Sequence, residues 1–291
     1  MTTETQTQIT RLENAKADII TAIENKGIIV QSGTKLDGMA SFIDAIPTGS
    51  GGTEMEDAFV TRTLSGTYEN SRVTDVGIGA FAYWPGNYNV SFPNVVTIKS
   101  SAFFSATGLR SASFTVATAI QSRAFSGCTY LVSAIFPSVT AIGSGAFAGC
   151  LRLKTISLPL LKTIPESAFD HCTALVSARF PKVTTVGLRA FQYASSSLAR
   201  LYFDVVSKIS ASAFSWCFGL VSLYLLKKAV CTLDASTAFT STPFLGYAGY
   251  TQSDPHIYVP SAYLSSYKNA TNWTYFSSYF VGLTDAQISA L

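Results

Sequence analysis

The sequence predicts a solenoid of stacked repeats that carries a parallel β-sheet. Three observations support this fold class: a residue pair that recurs at a fixed interval, other apolar residues that keep the same phase, and a short alternating segment in each repeat. A fixed period of about 20 to 50 residues is typical of solenoids, because each repeat must bury its apolar face against its neighbours.

The recurring pair is Ala-Phe. The first six copies are 22 residues apart, and the last two follow after 23 and 25 residues, at Ala80-Phe81, Ala102-Phe103, Ala124-Phe125, Ala146-Phe147, Ala168-Phe169, Ala190-Phe191, Ala213-Phe214 and Ala238-Phe239. One repeat holds too few large apolar groups to bury them alone, whereas stacking places equivalent positions in columns. We therefore expect the eight phenylalanines to lie in one internal file.

Each repeat also carries a short alternating segment, such as Ala134-Ile135-Phe136, which predicts a strand with one face turned inward. Pro137 follows at once and ends the strand, because proline cannot donate to the next ladder position. We expect one such strand per repeat in a parallel sheet. Short helical turns or second short strands should complete the repeat, with the Ala-Phe segment as a short turn or helix on the other side.

The combined pattern is A-F-x-x-C-x-x-L-x-x-(A/I/L)-x-F-P-x-V-x-x-I, which resembles the BspA-type leucine-rich repeats of bacterial and protozoan surface proteins. The resemblance covers roughly residues 58–283 in eight units. The segment Ile257-Tyr258-Val259-Pro260, followed by Tyr263 to Trp273, is similar to the terminal unit of that family. The resemblance implies a leucine-rich-repeat solenoid that adheres or binds ligands without catalysis.

The N-terminal part differs from the repeats. Residues 8–25 predict an amphipathic helix with one apolar stripe, formed by Ile9, Leu12, Ile19, Ile20 and Ile23. We divide the chain into a helical module for docking or oligomerisation (1–47), a Gly-rich linker (48–57), the repeat solenoid (58–256) and a C-terminal capping unit (257–291). The alternative is that the helix packs on the first repeat. Residues 12–20 with 32–39 are similar to N-terminal segments of phage tail-associated proteins.

Charge separates the same two parts of the chain. The net charge of +3 divides into −5 for residues 1–57 (nine acids, four bases) and +8 for residues 58–291 (eight acids, sixteen bases). The bases occur singly, which does not favour nucleic acid as a partner. No apolar run predicts membrane insertion, and no basic start precedes an apolar stretch, so we expect synthesis in the cytoplasm without a signal peptide and action in a virion or at a cell surface.

The residues that could act as metal ligands or in catalysis are better explained by structural roles. Four cysteines share one repeat position, where other repeats carry alanine, so this position requires a small apolar side chain: Cys128, Cys150, Cys172 and Cys217. A straight column does not give the tetrahedron that zinc prefers, and we expect no metal. Asp170, His171 and Cys172 are consecutive, whereas catalytic partners meet in space. We expect no cofactor and no enzyme; a polymer-degrading enzyme is the remaining alternative, without an acid pair to support it.

The outward positions of the strands predict the binding face. One column is Ser113, Ile135, Ser157, Arg179, Tyr202 and Tyr224, and its neighbour is Ser111, Ser133, Thr155, Ser177, Arg200 and Ser222. Tyrosine and arginine contribute strongly to interfaces, so Arg179, Arg200, Tyr202 and Tyr224 are the predicted ligand-binding residues. Outward tyrosines also simply favour strands. We expect a recognition protein of a phage tail or surface that binds a protein or glycan; a free-standing surface adhesin is the alternative.

Overall fold

The computed structural model describes residues 65–69, 71, 73–194, 197–245 and 254–291. The predicted helical module and linker, with Ile9, Leu12, Ile19, Ile20 and Ile23, lie outside the described residues. Within them, all strand pairs are parallel and join equivalent segments of successive coils. The predicted parallel solenoid is therefore confirmed.

Two series of strands alternate along the chain. The longer strands are β1 (Ser65–Glu69), β3 (Asn87–Ser91), β5 (Leu109–Ser113), β7 (Ser133–Ile135), β9 (Thr155–Ser157), β11 (Ser177–Phe180), β13 (Arg200–Phe203), β15 (Ser222–Leu225), β17 (His256–Pro260) and β18 (Phe280–Leu283). The two-residue strands are β2 (Asp75–Val76), β4 (Thr97–Ile98), β6 (Ala119–Ile120), β8 (Ala141–Ile142), β10 (Thr163–Ile164), β12 (Thr185–Val186), β14 (Lys208–Ile209) and β16 (Thr232–Leu233). The second short strand of each repeat is thus present.

Each series is divided into two sheets: the short strands break between β8 and β10, and the long strands break one coil later, between β9 and β11. The long strands form β1-β3-β5-β7-β9 and β11-β13-β15-β17-β18, and the short strands form β2-β4-β6-β8 and β10-β12-β14-β16. After β8 and β12, the N–H groups of Gly143 and Gly187 donate to the preceding coil, to Ile120 O and Ile164 O. Pro165 holds the equivalent position after β10 and has no N–H to donate, which accounts for the break between β8 and β10.

The Ala-Phe segments form tight turns on a third side of the coil. Their backbones are bonded between coils, as where Phe147 N donates to Ala168 O over 2.9 Å. The residues two before and two after each of the first seven phenylalanines of the Ala-Phe pairs adopt left-handed backbone, as Ser167 (φ 54°) and His171 (φ 56°) do around Phe169. A helix cannot contain such residues, so the turn alternative holds for these seven segments, whereas the eighth, Ala238-Phe239, lies in the 3-10 helix Ser236–Phe239.

The core is organised around the predicted file of phenylalanines. The seven successive ring pairs from Phe81 to Phe239 are stacked, with centroids 4.8 to 5.7 Å apart and planes within 21°. The inward strand positions are buried as predicted: in β11, Ala178 and Phe180 are buried while Ser177 and Arg179 are exposed. The expected stacking of equivalent positions is confirmed.

Helical structure among the described residues is confined to the C-terminal part. It comprises 3-10 helices at Ser236–Phe239, Pro243–Leu245, Ser261–Tyr263 and Thr274–Tyr279, helix α1 (Leu264–Asn269) and helix α2 (Asp285–Ser289). In this described part of the chain, no helix is both long and apolar enough to cross a membrane.

This C-terminal part closes the open end of the core. Tyr267 and Trp273 are fully buried. The Tyr267 hydroxyl accepts from Cys231 N over 3.0 Å and donates to Ala229 O over 3.2 Å, and Trp273 Nε1 donates to Cys231 O over 2.6 Å. These two aromatic residues therefore cover the last coil, as a cap must, while Tyr275 is 67% exposed.

Candidate ligand-binding face

The four predicted binding residues lie together on the outer face of the sheet β11-β13-β15-β17-β18. The strand register aligns Arg179 with Tyr202 and Tyr224, and places Arg200 in the neighbouring column. Alternation along each strand turns the intervening residues inward, as shown by the buried Leu201 in β13. The sequence-derived columns are therefore the columns of the folded sheet.

A third tyrosine extends this column. Tyr258 pairs with Tyr224 in the register, and the three rings are stacked: the Tyr202–Tyr224 centroids are 4.3 Å apart and the Tyr224–Tyr258 centroids 4.4 Å, both with planes 12° apart. By its resemblance to a terminal repeat unit, the segment that contains Tyr258 is predicted to belong to the cap, and the 34 residues between Tyr224 and Tyr258, instead of about one period, conceal their pairing. The alternation in Ile257-Tyr258-Val259 was the signal that could have placed it.

The geometry of this stack determines what it can bind. Each ring is half-buried, and the faces of Tyr224 are covered by its two neighbours. The stack therefore presents ring edges and hydroxyl groups to a ligand. Because the side chains hold one another, little side-chain entropy remains to be lost on binding.

Cationic and polar side chains border the stack. Arg179 Nη2 lies 3.0 Å from Asp204 Oδ2, and the exposed fractions of the two side chains are 43% and 27%. His256, in the column of Arg200, has its ring centroid 5.7 Å from that of Tyr258, and its Nδ1 lies 2.9 Å from Asp254 O. Guanidinium and hydroxyl donors are thus grouped around a rigid aromatic centre.

The phenol of Tyr224 is held in its neutral form. Burial raises the pKa of Tyr224, Tyr202 and Tyr258 raise it further, and the positive charge of Arg200 opposes the shift. A neutral phenol can both donate and accept a hydrogen bond. The Tyr224 hydroxyl can therefore serve a ligand in either role.

A second aromatic row lies on the side of the Ala-Phe turns. The centroid distances are 4.6 Å for His171–Tyr193 and 5.5 Å for Tyr193–Trp216, and all three residues have left-handed backbone. Gly127 and Gly149 occupy the same repeat position in earlier coils. This row is not evident from the sequence, in which His171 stands out only through its neighbours Asp170 and Cys172.

The cysteine column offers no reactive group. Cys128, Cys150, Cys172 and Cys217 are fully buried, and each thiol donates to the carbonyl oxygen of a core phenylalanine over 2.9 to 3.2 Å. Burial raises the pKa of all four thiols. A neutral, enclosed thiol is a poor nucleophile and a poor metal ligand, which agrees with the structural role predicted for them.

Stacked coils with an apolar interior and a parallel sheet on one side define a leucine-rich-repeat solenoid. Residues 96–221 match a protein-family model described as the BspA type leucine rich repeat region, in six copies. Over these residues the chain is similar to BspA-type leucine-rich repeat regions.

Three solved structures are similar to the chain. A leucine rich repeat protein of T. pallidum is 28% identical to this chain, with a TM-score of 0.34. The match extends over 47% of this chain and 58% of that protein, so this chain spans less than two thirds of that protein's length. A leucine rich cell surface protein of Faecalibacterium prausnitzii (17% identity, TM-score 0.34) covers 75% of this chain and 85% of its own. A leucine-rich repeat protein of Bacteroides ovatus (16%, TM-score 0.25) covers 73% and 88%. No curated protein matches the sequence.

Proposed function

We propose that this is a non-catalytic recognition protein that binds a surface ligand, a protein or a glycan, through the outer face of the sheet β11-β13-β15-β17-β18. The observation that carries the proposal is the stack of Tyr202, Tyr224 and Tyr258 with Arg179 and Arg200 beside it. Tyrosine and arginine are the residue types that dominate binding energy in protein interfaces.

The absence of an enzyme activity is part of this proposal. Asp204 and Asp234 each pair with a basic side chain, and Asp170 Oδ1 contacts His171 Nδ1 over 2.8 Å. Cys172, which follows this Asp-His pair, turns its thiol into the core and bonds to Phe147 O. The one Asp-His-Cys sequence of the chain thus has its nucleophile directed away from the other two side chains, which supports a binding role.

We place the protein in a phage tail or on a surface, attached through residues 1–47, with a free-standing adhesin as the alternative. The support is the opposite charge of the two parts of the chain, −5 for residues 1–57 and +8 for residues 58–291 (nine acids with four bases, then eight acids with sixteen bases). Affinity capture with the full chain should recover a structural virion protein, and capture with a chain lacking residues 1–47 should not. Equal capture by both would contradict attachment through this module.

The binding face is tested with an array of bacterial surface polysaccharides and host matrix proteins. The full chain should bind a subset of the array, and the variant R179A/R200A/Y202A/Y224A should lose that binding by about tenfold or more. Tyr275→Ala is the control, since Tyr275 is an exposed tyrosine that lies in the 3-10 helix Thr274–Tyr279 and in none of the strands of this sheet. Unchanged affinity in the fourfold variant, with an unchanged circular dichroism spectrum, would place the site elsewhere.

A further inference from the structure

A cluster of basic side chains surrounds Tyr130 in the N-terminal coils. The guanidinium carbon of Arg152 lies 4.1 Å from the centroid of the Tyr130 ring, and that of Arg110 lies 5.5 Å from it. Both distances are within the range of about 6 Å in which a cation is attracted to an aromatic ring. One tyrosine thus holds an arginine from each neighbouring coil in place.

Lys154 belongs to the same cluster. Its N–H donates to Val132 O over 3.3 Å, and Val132 N donates to Arg110 O over 2.9 Å, so Lys154 and Arg110 lie in one column two coils apart. Arg110, Arg152 and Lys154 are all exposed, and Tyr130 is 39% exposed. Lys154 is therefore exposed two residues after Arg152 and in the same column as Arg110.

No carboxylate neutralises this cluster in the described part of the chain. Between residues 76 and 165 the sequence holds six basic residues and no acidic one. The ion pairs of lysine or arginine within the described ranges involve Asp75, Asp204, Asp234 and Asp285, and none includes a member of the cluster. Arg110 Nε instead donates to Asn87 Oδ1, a neutral amide. Like charges held together without a counter-charge favour the binding of an anion.

The surroundings of the cluster favour one kind of anionic partner. Ser133 and Thr155 are exposed, are paired in the register of β7 and β9, and lie directly beside the cluster, where they can exchange hydrogen bonds with hydroxyl groups. Arg152 lies over the Tyr130 ring, so a nucleic-acid base cannot stack on that face as it does in single-strand binding sites. A glycan with acidic groups matches both features.

We propose that Arg110, Tyr130, Arg152 and Lys154 form a binding site for the sulfate, phosphate or carboxylate groups of an anionic glycan. Guanidinium groups recognise these anions with paired, charge-assisted hydrogen bonds, and the ring fixes their positions before the ligand arrives. The site is separate from the Tyr202–Tyr224–Tyr258 stack and does not depend on what that stack binds.

The full chain is tested by titration with dextran sulfate, polygalacturonate and uncharged dextran at low ionic strength. It should bind dextran sulfate, polygalacturonate or both, and it should not bind dextran. The variant R110Q/R152Q/K154Q should bind the anionic polymers about tenfold more weakly, because three counter-charges are lost. The variant R123Q/K162Q/K182Q, which removes the same number of charges elsewhere, should bind as the wild type does.

The ring is tested separately. Tyr130→Phe keeps the aromatic face and should preserve the affinity, whereas Tyr130→Leu should weaken it, since the two arginines lose their fixed positions. Three outcomes would overturn the proposal: no binding of either anionic polymer, an equal loss in the two charge variants, or tighter binding of an oligothymidylate of matched charge. Competition by inorganic sulfate at equal sulfate concentration would also overturn it, because a simple ion would then suffice.

Discussion

The thiol of Cys172 donates a hydrogen bond to the carbonyl oxygen of Phe147, 25 residues earlier in the chain, over a distance of 3.2 Å. Cys128, Cys150 and Cys217 make the same bond to Phe103, Phe125 and Phe191. The cysteine position is thus both a small apolar position and a link between coils. Ala106 and Ala194 occupy it without such a link.

These thiols predict a loss of stability at high pH. Burial raises their pKa above the ordinary value of 9.0. Above that pH the unfolded chain loses protons that the folded chain retains, so the free energy of unfolding should fall, by about 1.4 kcal/mol per pH unit for each thiol. Urea denaturation should be measured at several pH values above 9.0. The free energy of unfolding should fall less steeply with pH in the variant that has alanine at all four cysteine positions. Parallel profiles for the two proteins would contradict the assignment.

The file of phenylalanines predicts a large effect of a central substitution. Phe147 is fully buried and stacks on Phe125 and Phe169, with centroids 5.3 and 5.6 Å away. Phe147→Ala should lower the free energy of unfolding by about 3–5 kcal/mol, since it leaves a cavity between two coils. Tyr275→Ala, on the surface, should change it by less than about 0.5 kcal/mol. Similar effects of both in urea denaturation would be inconsistent with the stacked core.

Two buried tyrosines predict opposite effects when the hydroxyl is removed. The Tyr267 hydroxyl bonds to Cys231 N and Ala229 O, so Tyr267→Phe should destabilise the protein by about 1–3 kcal/mol by leaving buried backbone groups unpaired. The Tyr88 hydroxyl is buried without a hydrogen-bond partner among the described residues, so Tyr88→Phe should be neutral or stabilising. Thermal and urea denaturation of both variants checks this contrast, and a reversed order would contradict it.

Replacing either of two glycines with alanine should lower the free energy of unfolding by unequal amounts. A Cβ on Gly108 would lie 1.2 Å from Gly86 O, a backbone atom that cannot move without shifting the neighbouring coil. A Cβ on Gly149 would lie 3.6 Å from Gly127 Cα, and its cost is only that of the left-handed φ of 73°, about 1–2 kcal/mol. Gly108→Ala should therefore destabilise the protein well beyond Gly149→Ala in urea denaturation. Equal costs would count against the close approach of these coils.

The repeating part of the fold could be predicted from the sequence because one packing requirement recurs in every coil. Because the period is fixed, the sequence alone predicts where the phenylalanines from Phe81 to Phe239, the cysteines and the outward columns lie in the fold. The left-handed backbone of His171, Tyr193 and Trp216 could not be read in this way, because these residue types ordinarily avoid it and only glycine signals it.

The residues of the candidate binding face were predictable in part for the same reason. Arg179, Tyr202 and Tyr224 follow the period, whereas Tyr258 comes after a longer connection and was assigned to the cap. The cluster of Arg110, Tyr130 and Arg152 combines two different repeat positions from three coils, so no single column of the sequence displays it. Contacts between residues of different columns can be identified only from the folded structure.

The measurement that tests the stacked interior most directly is a pair of double-mutant cycles on urea stability. Phe125 and Phe147 are ring neighbours at 5.3 Å, so Phe→Leu substitutions at these two positions should show a coupling energy of about 0.5–1.5 kcal/mol. Phe125 and Phe191 are separated in the file by Phe147 and Phe169, and their substitutions should be additive within about 0.5 kcal/mol. Additivity of the neighbouring pair, or equal coupling of both pairs, would contradict the account.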